Sequence, residues 1–167
     1  MTFISDVQTL LTRELDGLAR EVGLFPDDQQ LWVTPVGVSN SAGNLALHVA
    51  GNLQHFVGTL LGRTGYVRDR ESEFATRAGT RAGIQQELLA AAQAVESTLS
   101  RIDITTLQRP MPGEPNGLTI RTDLFLLHLV SHTAFHLGQA GYVRRIVCGD
   151  ATSAGPLPMS MLATRPL

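Results

Sequence analysis

A chain of 167 residues with 13 basic and 15 acidic side chains is long enough for one ordinary domain and carries a formal net charge of -2. All 13 basic residues are arginines, which excludes chemistry that needs an amine, such as a Schiff base or a P-loop lysine; the slight acidity argues against a nucleic-acid platform. With 43% hydrophobic and 17% charged residues the chain can bury a core, yet no apolar run approaches the roughly 18 to 20 residues of a membrane span, and the start MTFISDVQTL lacks the pattern of a secretory signal. A cytoplasmic protein with no membrane partner is expected.

Phe3, Val7, Leu10, Leu11, Leu15 and Leu18 recur at three- and four-residue intervals and predict a first amphipathic helix to about Val22, capped by Thr2 or Ser5 and stopped by Gly23 and Pro26. The following loop carries the single tryptophan, Trp32, expected to seal one end of the core. Asn40 and Ser41 offer caps for a second helix from about Ala42 to Leu61, ended by Gly62 and Gly65. Tyr66 to Gly79 is charged and aperiodic and is expected to be a loop, with Arg68, Asp69 and Arg70 as a solvated charge run. Thr80 caps a third helix with the stripe Ile84, Leu88, Ala91, Val95, Leu99 and Ile102. After the turn-rich RPMPGEPNG, a fourth helix runs from about Thr122 to Val147 and stops at Gly149. Residues 1–149 thus form one all-α domain, a four-helix bundle, and residues 150–167, rich in Ala, Ser and Pro, a C-terminal tail. The connection between the second and third helices spans roughly 17 residues, long enough at about 3.3 Å each to cross a bundle, so those two helices are free to run parallel.

The five histidines lie in two short stretches, His48 with His55 and His128 with His132 and His136. At 100° per residue the last three fall within an 80° arc of the fourth helix, shared or bordered by Phe125, Leu129, Phe135, Val143 and Ile146, and are expected to point into the core. His48 and His55 share a stripe of the second helix. Imidazoles at i and i+4 can reach one ion, and two helices presenting them can meet around it. The sequence HLVSHTAFH has no HExxH glutamate, and neither histidine-bearing helix contains a glutamate, which argues against a metalloprotease and a di-iron bundle. A mononuclear site of three imidazoles remains, suited to Zn²⁺, Ni²⁺ or Fe²⁺. Geometry leaves two triads open: His48 with His128 and His132, or His48 with His132 and His136. Asn44 and Asn52, one turn either side of His48, are candidates to hold its second ring nitrogen. The lone Cys148 excludes an internal disulfide and is expected to be a structural thiol.

The segments NLALHVAGNLQHFVGTLLG and HLVSHTAFHLGQAGYVRRI resemble the DinB-like superfamily of bacterial metal-binding four-helix bundles, over roughly residues 1–149. The resemblance implies an up-down-down-up arrangement with a long crossover between helices two and three. It also implies a divalent-metal triad of His48, His132 and His136, with His55 and His128 outside it and Gln139 orienting a ligand from behind. Several groups of that superfamily use low-molecular-weight bacterial thiols, which implies a metal-dependent thiol S-transferase acting on a small-molecule substrate in detoxification or stress response. A non-catalytic metal-binding stress protein and a metal-dependent hydrolase are the rival expectations. A second apolar row on the fourth helix, Leu126, Val130, Leu137 and Ala140, predicts a homodimer through that helix's outer face.

Overall fold

The computed structural model describes residues 2–154 and 159–162. Four long helices form the bundle. Helix α1 spans Phe3–Gly23; α2 spans Ala42–Leu53 and continues with the wider π-type hydrogen bonding over Gln54–Leu61; α4 spans Arg81–Leu99 and α5 Thr122–Cys148. A fifth, short helix, α3, spans Arg70–Ala75 and corrects the expectation of a loop there. Its signal is a cap rather than a period: Asp69 accepts a hydrogen bond from Ser72 N at 2.9 Å, while six residues are too few to show an apolar repeat. The other caps are those expected. Thr2 and Ser5 form a reciprocal capping box, Ser41 accepts from Asn44 N, Thr80 accepts from Gly83 N, and Gly149 ends α5 in the left-handed conformation at φ 62°.

Inter-helix contacts fix the directions. Gly17 faces Leu137 and Glu21 faces Gly141, so α1 and α5 run parallel. Gln54 bonds Glu87, Gly58 faces Ala94 and Gly62 faces Thr98, so α2 and α4 also run parallel. His48 meets His132 and His136 while Phe56 meets Phe125, which makes α2 antiparallel to α5. The order is up-down-down-up, and residues 62–80, including α3, are the crossover that returns the chain along α2.

The predicted stripes close the core: Val7, Leu11, Leu15, Leu18, Ile84, Leu88, Ala91, Val95 and Leu99 are all buried. Trp32 seals one end as expected. Its ring lies against Gly43, where a Cβ would come within 2.9 Å, and its Nε1 donates to the Gly79 carbonyl at 3.0 Å.

Two expectations about α5 change. The row Leu126, Val130, Leu137 and Ala140 is not an outer face: Leu126 and Ala140 are buried, and Leu137 packs over Gly17 of α1. The large apolar residues that α5 does expose are Leu124, Leu127, Phe135, Tyr142 and Ile146, so Phe135 and Ile146 do not share the buried arc assigned to them. The tail holds more order than its composition suggests. Glu21 Oε2 accepts from the wholly buried Arg144 Nε at 2.6 Å, Glu21 Oε1 accepts from Ala154 N at 2.9 Å, and Met159–Leu162 form a 3-10 turn. The rest of the tail, residues 155–158 and 163–167, lies outside the described residues.

Candidate metal centre

His48 is placed by α2, His132 and His136 by one turn of α5, and the antiparallel pairing of those helices brings the three rings together. Their ligand atoms lie within 4.8 Å of one another. His132 Nε2 sits 3.3 Å from His48 Nε2 and 3.1 Å from His136 Nε2. Two imidazole nitrogens on one ion at about 2.0 to 2.1 Å are separated by about 3.3 Å in tetrahedral geometry and about 2.9 Å at a right angle. The two separations from His132 fall in that range and the His48–His136 pair lies within 4.8 Å, a grouping that could hold a single divalent ion once the rings close on it.

The opposite ring nitrogens decide whether the Nε2 lone pairs are free to face inward. His48 Nδ1 has two neighbours, Glu73 Oε2 at 2.9 Å and Arg68 Nη2 at 3.2 Å; a carboxylate only accepts and a guanidinium only donates, and the nearer carboxylate favours a proton on Nδ1. Gln139 Oε1, one turn beyond His136, accepts from His136 Nδ1 at 2.8 Å. Both arrangements leave Nε2 unprotonated, the form a metal requires. His132 has no such partner; its Nδ1 is buried without a hydrogen bond. Burial, reinforced by the charges of His136, His48, His128 and Arg68, pushes its pKa down from 6.5 to about 3. Burial likewise lowers His136, against the hydrogen bond of Gln139. Both imidazoles are neutral at pH 7.

Glu73 is the functional residue that the sequence reading missed. It is 6% exposed, and Arg68 grips it with both arms of the guanidinium, Nε to Oε1 at 2.7 Å and Nη2 to Oε2 at 2.8 Å. Burial alone would raise its pKa, but the hydrogen bonds from Arg68 and His48 outweigh it and keep the carboxyl below its ordinary range. Arg68 is therefore not part of a solvated charge run: its side chain is 11% exposed. Arg70 does stay exposed, lying over the Phe74 ring at 5.2 Å, and Asp69 serves as the cap of α3. One signal for Glu73 is present in the sequence. Gly51 interrupts α2 one turn after His48, where glycine costs about 1 kcal/mol against alanine, and a Cβ there would come within 2.2 Å of Glu73 Oε1.

Asn44 and Asn52 do not take the role assigned to them, because Glu73 occupies the second nitrogen of His48. Asn44 donates instead to the backbone carbonyls of Glu73 and Thr76, both at 2.9 Å, and so pins α3 against α2. Asn52 is buried, with its Oδ1 unpaired. Of the two remaining histidines, His128 is exposed rather than core-facing, its ring 5.7 Å from that of His132. His55 is half-buried against Phe56 at 4.9 Å. It shares a stripe with His48 but lies seven residues, about 10 Å, further along the helix. Axial distance, not angle, removes it from the cluster. The Phe74 ring of α3 lies 4.8 Å from the His48 ring and the Phe135 ring of α5 lies 5.3 Å from that of His136, so an aromatic ring sits beside each of these two histidines.

The family model described as mycothiol-S-transferase matches residues 6–149 of this chain. Among solved structures, a conserved protein from Enterococcus faecalis is similar in fold, with a TM-score of 0.72 at 17% identity, over 90% of this chain and 99% of that one. No curated protein matches.

Proposed function

The chain belongs to the mycothiol-S-transferase family, within the DinB-like superfamily, and from that premise we propose that it is a metal-dependent S-transferase joining a low-molecular-weight thiol to an electrophilic carbon in detoxification or stress response. The observation that carries the reading is the convergence of three Nε2 atoms, two of them fixed in the ligating tautomer by Glu73 and Gln139. A divalent ion held by His48, His132 and His136, of the Zn²⁺, Ni²⁺ or Fe²⁺ kind that imidazoles suit, supplies Lewis acidity that favours the ionised form of a thiol sulfur at neutral pH.

The residues of the chain do the rest. Glu73 and Gln139 hold two rings in register, and burial keeps His132 neutral and ready to ligate. Phe74 packs against the His48 ring and Phe135 against the His136 ring. The sulfur must come from outside. Cys148 lies twelve residues beyond His136, about 18 Å along α5; its Sγ donates to Gln30 Oε1 at 3.4 Å, and burial raises its pKa. A hydrolase would need a carboxylate free to take a proton from water. Glu73 is committed elsewhere, its two oxygens occupied by Arg68 and His48.

We place the protein in the cytoplasm as a homodimer, with the exposed Leu124 and Leu127 of α5 available to a second copy. No helix among the described residues is long and apolar enough to cross a membrane. Sedimentation showing only monomer at micromolar concentration rejects the dimer.

The test of function has two arms. Metal content is measured on the purified protein and on His48→Ala and His132→Ala; both variants are expected to lose the ion, and retention by both would refute the triad. The cobalt-loaded protein is then titrated with mycothiol. A sulfur-to-metal charge-transfer band, together with consumption of 1-chloro-2,4-dinitrobenzene, is expected; neither signal with any thiol would leave a metal-binding protein that is not a transferase.

A further inference from the structure

Gln139 belongs to two places at once. Its Oε1 holds His136, and its side chain also walls a cleft of about 330 Å³ between α5 and the loop that precedes α2. The rest of the wall is largely apolar: Leu45, Tyr142, Val143 and Ile146, with Ser39 and Asn40 on the loop side. Leu45 precedes His48 by three residues and Gln139 follows His136 by three, so the cleft begins on both helices one turn, about 4.5 Å along the axis, from a triad histidine. Gly138 also lines it, and a Cβ there would meet nothing within 4 Å, so a residue without a side chain leaves this part of the wall open.

We infer that this cleft is the subsite for the electrophile, and that it takes an apolar aryl or branched alkyl group attached to the reactive carbon. The inference rests on the transferase reading above and adds the substrate class. The cleft's volume lies at the lower end of the range for small-molecule sites, enough for one compact hydrophobic group. The thiol carrier is the wrong occupant. A polar carrier could pair with Ser39, Asn40, Gln139 and Tyr142 but would lay its remaining hydroxyl and amide groups against Leu45, Val143 and Ile146 without partners, whereas a hydrocarbon ring loses nothing on that apolar side. With an aryl chloride the balance is simple: the sulfur–carbon bond forms, the carbon–chlorine bond breaks, chloride leaves with the bonding pair, and the thiol proton passes to solvent.

The test adds bulk to the cleft wall. Gly138→Leu adds a side chain at an exposed helical position without touching the histidines. Two quantities are read on the metal-loaded protein: the affinity for 1,3-dinitrobenzene, an arene with no leaving group, and the ratio of kcat/KM for 1-chloro-2,4-dinitrobenzene to that for iodoacetamide with mycothiol as the thiol. Gly138→Leu is expected to weaken arene binding at least tenfold and to lower the ratio at least tenfold. Arene affinity and ratio both within twofold of wild type would overturn the subsite while leaving the transferase reading intact. Transfer to neither electrophile by the wild type would remove the transferase reading, and arene affinity then decides the cleft alone. Dissociation of a dimer by Gly138→Leu would show that a second copy fills the cleft and would overturn the inference. If Gly138→Leu does not fold, Ile146→Glu, at a position 60% exposed, places a charge in the same wall and carries the same expectation.

Discussion

Replacing Glu73 by glutamine separates the tautomer-fixing role of this residue from its role in packing. The amide keeps the shape of the carboxylate and can still accept from His48 Nδ1, but the charge is gone, and its one acceptor oxygen cannot also serve the two Arg68 donors at 2.7 and 2.8 Å. A hydrogen bond to a charged group contributes about 1.5 to 3 kcal/mol against about 1 for a neutral one, so the loss at His48 is on the order of 1 kcal/mol, or up to about tenfold in metal affinity. Partners behind a metal-bound histidine shift affinity by about 10- to 100-fold, which brackets the same figure. The assay is competition for Zn²⁺ against a chromophoric chelator at pH 7, with the folded fraction followed by circular dichroism. Glu73→Gln also strands a largely buried guanidinium, and a broken buried pair costs about 3 to 5 kcal/mol of stability. The double variant Glu73→Gln with Arg68→Met is therefore expected to regain stability without regaining affinity. A folded Glu73→Gln protein that holds zinc within twofold of wild type would refute the argument that this carboxylate prepares His48.

Acid sensitivity of the metal-free protein carries a second expectation. Below pH 6.5 the unfolded chain protonates His132, while the folded chain, with that pKa pushed down to about 3, does not. The stability contributed by neutral His132 is complete above about pH 6.5 and is lost as pH falls toward 3. Urea unfolding at several pH values should show a steeper decline for wild type than for His132→Ala, and equal slopes would contradict the assignment. Two mid-helix glycines, Gly51 buried and Gly138 exposed, should respond oppositely. Gly51→Ala drives a Cβ to within 2.2 Å of Glu73 Oε1 and should cost about 1 to 3 kcal/mol as well as metal affinity, whereas Gly138→Ala meets nothing within 4 Å and should stabilise by up to about 1 kcal/mol in the same unfolding assay. Arg144→Met leaves the buried Glu21 carboxylate without its 2.6 Å partner and should lower stability by about 3 to 5 kcal/mol by urea denaturation; a loss under 1 kcal/mol would show that solvent reaches Glu21.

What the sequence revealed and what it hid follow from the range of the signals. Helices α1, α4 and α5 announce themselves because a buried stripe repeats over 19 to 27 residues, and their caps need only nearest neighbours. The histidine cluster was legible as a pair of alternatives. Choosing between His128 and His136 is a question of how far along its axis α2 meets α5, and periodicity is blind to axial offset; the register came from the resemblance. Projection angle also misplaced Phe135 and Ile146, since an angle says which residues share a face but not where the neighbouring helix ends. Arg68 and Glu73 were hidden more completely. They sit in a segment with no period, and their pairing with each other and with His48 is made by a fold that brings residue 73 back to residue 48.

That return is a consequence of topology. Because α2 and α4 run parallel, the chain leaving Leu61 must travel back along α2 before α4 can begin. From Leu61 to the level of His48 is about 20 Å of helix axis, while the twelve residues from Leu61 to Glu73 reach about 40 Å when extended. The crossover therefore has about twice the length it needs. The surplus is taken up by α3, capped by Asp69 and tied to α2 through the two hydrogen bonds of Asn44. A tight hairpin between antiparallel helices would have ended at the far end of the bundle, with no residue able to come alongside His48. The up-down-down-up order thus places a carboxylate behind a histidine whose own helix has none. The glycine at position 51 is the cost in helix propensity that lets it approach.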